Sequence, residues 1–75
     1  MKFKIRLENP QEAEEFVKAA SRFGGDIDLH SGVVYIDGKS LLGVLAMGIK
    51  RELDVYVSEH NPSTFINSVK KFVVA

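Results

Sequence analysis

The sequence predicts an α+β domain in which a four-stranded, mostly antiparallel sheet is covered on one face by helices, in the order β-α-β-β-α-β-α. Three observations predict it. Apolar residues alternate with polar ones over Lys2–Leu7 and Leu53–Ser58, the two-residue period of half-buried strands. Apolar spacing over Ala13–Phe23 and Phe65–Val73 follows the period of amphipathic helices. Between them, two short β-rich runs flank Ser31-Gly32, a dipeptide suited to a tight hairpin.

Seventy-five residues suffice for one core and not for two, so residues 1–75 are read as one domain. Hydrophobic residues make up 45% and charged residues 27%, a globular profile far from that of disorder. Lys plus Arg equals Asp plus Glu at 10 each, and the cations are scattered from Lys2 to Lys71. No basic field is available to attract nucleic acid, so no nucleic-acid partner is expected. The absence of cysteine excludes disulfides, thiolate catalysis and the usual zinc frameworks, and points to a cytoplasmic setting. MKFKIRLENP alternates charged with apolar residues and holds no apolar run of the kind a signal peptide or membrane span needs, so no membrane association is expected.

Strand one places Phe3, Ile5 and Leu7 on one face and Lys2, Lys4 and Arg6 on the other. Asn9 is an N-cap followed by Pro10 at the first helical position, with Glu12 suited to the positive helix end. Ala13, Phe16, Val17, Ala20 and Phe23 form the inward stripe of this helix, and Gly24-Gly25 is expected to end it in left-handed geometry. Asp26–His30 and Val33–Asp37 form the hairpin about Ser31-Gly32. Asp37-Gly38-Lys39 breaks the strand, and Ser40 caps a short helix over Leu41–Ile49. Leu53, Val55 and Val57 define the buried side of a fourth strand. Asn61-Pro62 repeats the cap-plus-proline device before a last helix with Phe65, Ile66, Val69, Phe72 and Val73 inward. No linker, repeat or low-complexity segment interrupts this order.

The segment Leu41–Ile49 holds more apolar residues than one core-facing stripe uses. With Val44 and Met47 inward and Ile49 following, Leu41, Leu42 and Leu45 form a solvent-facing patch of the kind that marks a partner surface. The competing reading buries the helix on both sides. Ser40 has two readings as well: a plain helix cap, or a hydroxyl whose phosphate would meet free amides and the positive helix end.

The run Lys39-Ser40-Leu41-Leu42-Gly43-Val44-Leu45-Ala46-Met47-Gly48-Ile49 resembles the regulatory serine segment of the histidine-containing phosphocarrier (HPr) family. Glu15-Phe16-Val17-Lys18-Ala19-Ala20-Ser21-Arg22-Phe23 is similar to the family's first helix, and the element order agrees from about Lys2 to Phe72. The resemblance implies the family's open-faced β-sandwich, with a four-stranded antiparallel sheet and three helices on one side. It also implies a regulatory phosphorylation at Ser40.

Family members carry a Gly-hydrophobic-His-x-Arg-Pro motif before the first helix, whose histidine takes phosphate from enzyme I and passes it to sugar permease subunits. Here that stretch is Leu7-Glu8-Asn9-Pro10-Gln11-Glu12, shortened and without histidine or arginine. Asn9 and Gln11 mark the place of the lost active site, and Glu8, Glu12, Glu14 and Glu15 would repel a phosphoryl group there. His30 and His60 have no companion ligand or base and are read as solvent-exposed bystanders. Asp26 and Asp28 share a strand face but lack metal-site spacing, so no metal and no cofactor is expected. Gly24-Gly25 and Asp37-Gly38-Lys39 are fragments of phosphate-loop sequences and are read as turns.

No catalytic residue is assigned. The leading expectation is a non-enzymatic regulatory or adaptor protein linked to the sugar phosphotransferase system, with Ser40 the phosphorylation site and Leu41, Leu42 and Leu45 the docking surface. It resembles the catabolite-repression branch of the family, which implies HPr kinase, a transcriptional regulator or phosphotransferase-system proteins as partners. The chain would be a monomer or a weak homodimer through the leucine patch. The alternatives are a phosphoryl carrier using a non-standard residue and a small ligand- or RNA-binding α/β domain.

Overall fold

A computed structural model describes residues 2–58 and 61–74. The elements are β1 (Lys2–Arg6), α1 (Pro10–Arg22), β2 (Ile27–Ser31), β3 (Val34–Asp37), α2 (Leu41–Met47), β4 (Glu52–Val57) and α3 (Ser63–Ser68), then a 3-10 turn over Lys70–Phe72. The strands form one sheet in the order β1-β4-β2-β3, every neighbouring pair antiparallel. The chain is thus the expected open-faced α+β sandwich.

Strand alternation positions the core. Ile5, Ile27, Leu29, Ile36, Leu53, Val55 and Val57 point to the helical layer, where Ala13, Phe16, Val17 and Ala20 of α1, Val44 of α2 and Phe65, Val69 and Phe72 meet them. Phe16 is fully buried and meets the Phe65 ring edge-on at 5.8 Å, a contact that adds about 0.5–1.5 kcal/mol to its burial. The opposite face carries rows of polar residues in register, such as Lys4, Asp54, His30 and Tyr35, and no element among the described residues covers it.

The structure corrects several local expectations. The α1 helix ends at Arg22 with Phe23 extended (φ −83°, ψ 136°), and positive φ among the described residues belongs to Gly32 and Lys50, not to Gly24 or Gly25. Phe23 leaves the helix because its ring packs on Phe65 at 5.6 Å, so tertiary packing redirects the chain before a left-handed cap forms. The hairpin turns at Gly32-Val33, since Ser31 pairs with Val34. With φ +60° at Gly32 alone, the loop has the type II′ pattern, whereas a type I′ turn about Ser31-Gly32 would force positive φ on Ser31. This register also sets Gly38 against Ile27, where its N–H donates to the Ile27 carbonyl at 2.7 Å and a Cβ would stand 2.6 Å from Ile27 Cγ2.

The start of α3 differs too. Pro62 occupies the N-cap position with no side-chain cap bond, and Asn61 Oδ1 instead accepts from the Ser63 hydroxyl at 3.0 Å. Ile66 is only half-buried. Val73, expected inward, is 42% exposed, because the chain after the 3-10 turn runs along β1. There Val73 bridges Ile5 and the Val74 N–H donates to the Lys4 carbonyl at 2.9 Å, covering that sheet edge. No helix among the described residues is long and apolar enough to cross a membrane.

Candidate functional site

The loop into α2 is fastened residue by residue. The Asp37 carboxylate accepts the Lys39 N–H at 2.9 Å and the Asp37 carbonyl accepts the Ser40 N–H at 3.0 Å. Ser40 is the N-cap: its Oγ accepts the Gly43 N–H at 3.2 Å, satisfying one of the amides a helix start leaves free. The Lys39 ammonium reaches across to donate to the Phe23 carbonyl at 2.6 Å, placing a cation at the negative end of α1. Beyond the helix, Ile49 bridges Leu7 and the Lys50 N–H donates to the Leu7 carbonyl at 2.7 Å. The two contacts lie at opposite ends of α1, so α2 runs antiparallel to it, with Ser40 toward the C-terminal end of α1.

Seven residues form α2, and only Val44 is buried. Leu42 is 80% exposed, Leu45 39% and Leu41 37%, so the expected apolar patch faces solvent. Met47, expected inward, is 43% exposed and belongs to the outer surface. Helical geometry explains this pattern: at about 100° per residue, Met47 and Leu41 lie about 60° to either side of Val44, while Leu42 lies about 160° away. Gly43 lets the helix approach β3, since a Cβ there would lie 3.2 Å from Ile36 Cγ2. The helix ends with the Gly48 N–H on the Val44 carbonyl, so Ile49 is a bridge residue outside it, partly buried against the core.

At the N-terminus of α1, where Asn9 and Gln11 were expected to mark a lost active site, the protein's own groups cap the helix start. Asn9 Oδ1 accepts the Glu12 N–H at 2.9 Å, and the Glu12 carboxylate reaches back to accept the Glu8 N–H at 2.9 Å. The Asn-x-x-Glu spacing supplies the Asn9 bond, while the Glu12 carboxylate reaches one residue past the cap, to the Glu8 amide, which gives Glu12 a role beyond that of a dipole partner. Glu8 is paired with Arg6 and Glu15 with Lys71, while Gln11 is exposed. A phosphoryl group would find carboxylates here and a cap already formed.

His30 is not an isolated surface histidine. On the open face of the sheet it stacks on Tyr35 at 4.1 Å with the rings 3° from parallel, and lies 4.3 Å from Tyr56 on the other side. Sequence reading missed this ring cluster because His30 faces Tyr35 only once the hairpin turns at Gly32-Val33, and Tyr56 lies on a strand distant along the chain. Asp28 is opposite Tyr56 and Asp37 in register, while Asp26 precedes β2 and its N–H donates to Ser58 Oγ at 2.9 Å. Among the described residues no three His, Cys, Asp or Glu side chains are grouped to hold a metal. His60 lies outside the described residues.

Against known proteins, the family model described as the PTS HPr component phosphorylation site matches residues 4–73. Among solved structures, the chain superposes on a Mycoplasma histidine-containing phosphocarrier protein with a TM-score of 0.76 at 23% identity, covering 95% of this chain and 89% of that one. The phosphocarrier protein HPr of Bacillus anthracis gives 0.73 at 18% identity, covering 99% and 96%. Crh, the Bacillus subtilis catabolite repression protein described as a domain-swapped dimer, gives 0.67 at 18% identity, covering 95% and 88%. Among curated proteins none matches the chain. With the family model spanning nearly all of it, the chain belongs to the HPr family of phosphotransferase-system phosphocarriers.

Proposed function

We propose that this HPr-family chain is a non-enzymatic regulatory or adaptor protein, acting through α2, with Ser40 its phosphorylation site and Leu41, Leu42 and Leu45, joined by Met47, its docking surface. The observation that carries the reading is that α2 buries Val44 alone and turns its leucines to solvent behind a serine cap. Exposed apolar residues gathered on one short helix are costly to leave in water and mark a surface that a partner covers. The first turn of α1 supports the same reading from the other side. It has no histidine, its Glu12 amide is engaged by Asn9, and the Glu12 carboxylate is turned back onto the Glu8 amide just before it.

In the regulatory step, HPr kinase transfers the γ-phosphoryl group of ATP to Ser40 Oγ. The Oγ–P bond forms, the bond to the β-phosphate of the departing ADP breaks, and the hydroxyl proton passes to a base of the kinase. The new phosphate stands beside the leucines and adds about −1.5 to −2 of charge to the docking face. A transcriptional regulator or phosphotransferase-system protein that recognises both features would read the phosphorylated form selectively. The same apolar face permits weak homodimers.

The deciding experiment incubates the protein and Ser40→Ala with HPr kinase and ATP. Phosphate incorporation that depends on Ser40 is expected. Absence of Ser40-dependent label leaves the serine as a cap only. A parallel incubation with phosphoenolpyruvate and enzyme I that labels a histidine would instead make the chain a phosphoryl carrier.

A further inference from the structure

A cavity of about 300 Å³ opens between the C-terminal end of α1 and the start of α3, lined by no residue of α2. Its volume is at the lower end of the range typical of small-ligand sites, about 300–1,000 Å³. Phe23 and Phe65 form the apolar floor with Ala19 beside them, and Arg22, Asn61 and Thr64 form the polar rim. The two rings lie 5.6 Å apart and tilted by 41°; Phe65 is buried beneath, and the half-buried Phe23 ring offers the apolar surface that a flat body would cover.

The polar groups around this floor are nearly all donors. Arg22 is exposed and makes no ion pair or hydrogen bond among the described residues, so its guanidinium is uncommitted. Asn61 Oδ1 is engaged by the Ser63 hydroxyl, which leaves the amide Nδ2 protons to offer, and the Thr64 hydroxyl has no partner among the described residues. Ser68 also lines the cavity, but its proton is committed to the Phe65 carbonyl at 2.6 Å, leaving it an acceptor. No carboxylate lines the cavity among the described residues. A lone arginine, an amide donor and a hydroxyl above two phenyl rings match one negative charge on a small apolar body. A dianionic phosphate would leave charge uncompensated and the rings uncovered.

We infer that this cavity binds a small monocarboxylic acid with an aromatic or branched apolar body, its carboxylate on the Arg22 guanidinium with the Asn61 amide and Thr64 hydroxyl as supporting donors, and its body on Phe23 and Phe65. The inference is independent of the role of α2. Either can fail without the other.

The test is an amide NMR titration of the full chain with phenylacetate, with its neutral isostere phenylacetamide and with inorganic phosphate. Phenylacetate in the millimolar range is expected to move the amides of Phe23, Gly24, Thr64, Phe65 and Ser68. Phenylacetamide should bind about tenfold more weakly, and Arg22→Gln should weaken phenylacetate by a similar factor, as loss of a charge-assisted bond predicts. Arg22 is exposed, so the variant keeps the fold, which its unchanged spectrum away from the cavity verifies. Phenylacetate that moves none of these amides, that binds no better than the amide, or that ignores Arg22→Gln overturns the inference. Phosphate moving the same amides where phenylacetate does not would overturn the carboxylate assignment.

Discussion

Replacing Lys39 by methionine removes the ammonium that ties the loop before α2 to the end of α1 while keeping the apolar stem. In the native chain this ammonium donates to the Phe23 carbonyl at 2.6 Å in a part-buried setting. A hydrogen bond from a charged group contributes about 1.5–3 kcal/mol, and partial solvent access favours the lower half of that range. The favourable placement of the cation at the helix C-terminus is part of the same interaction, so it is not added separately. The expected loss is about 1.5–2 kcal/mol. For a domain of this size, 1 kcal/mol corresponds to about 4–8 °C in Tm, so Lys39→Met should lower Tm by roughly 6–16 °C. Urea unfolding followed by circular dichroism should show the midpoint falling with an unchanged slope. Lys39→Arg, which keeps a cation, should recover part of the loss. Native-state hydrogen exchange should speed up at the Phe23 amide, which donates to the Ala20 carbonyl in the last turn of α1. A loss below about 0.5 kcal/mol, within the range of ordinary surface substitutions, would show that the bond does not fasten α2 to α1 and would refute the reasoning.

Leu42→Glu places a charge on a side chain that is 80% exposed, so unfolding stability should stay within about 0.5 kcal/mol of native. Binding of the Ser40-phosphorylated form to a cognate transcriptional regulator, measured by calorimetry, should fall at least about tenfold if Leu42 anchors the interface. Gly38→Ala puts a Cβ 2.6 Å from Ile27 Cγ2 and 2.9 Å from the Ile27 carbonyl, and should cost about 1–3 kcal/mol by denaturant titration. Native stability in the Gly38→Ala chain would mean that the hairpin register shifts without cost. Ser40→Ala should abolish kinase labelling and also lose about 1 kcal/mol through the unpaired Gly43 amide, whereas Ser40→Asp should keep the cap and not be labelled.

The candidate surface was more legible than its surroundings. Ser40 as a cap and Leu41, Leu42 and Leu45 as outward residues follow from spacing along one helix, because neighbours on a helix are set by local geometry. Met47 was misplaced because a seven-residue helix over a small core has room for one inward position, and the width of that position depends on what lies beneath it. The Asn-x-x-Glu spacing read in both directions would have turned Glu12 back toward the cap, though not onto the Glu8 amide that it reaches. The His30–Tyr35 stack needed the hairpin register, which a turn placed one residue early hides, and the Tyr56 ring beside it needed the pairing of a distant strand.

The sequence alone determined the element order, the inward faces of β1, β4 and α1, the cap at Asn9 and the apolar excess of α2. Each of these depends on a period of two or 3.6 residues, or on a backbone amide within one turn of the residue that binds it. Only the tertiary structure decided the strand order β1-β4-β2-β3, the Gly38–Ile27 register, the departure of Phe23 from α1 and the cavity beside it. These follow from contacts between segments far apart in the chain, where closeness is set by how two surfaces pack and leaves no periodic trace in the residues that make them.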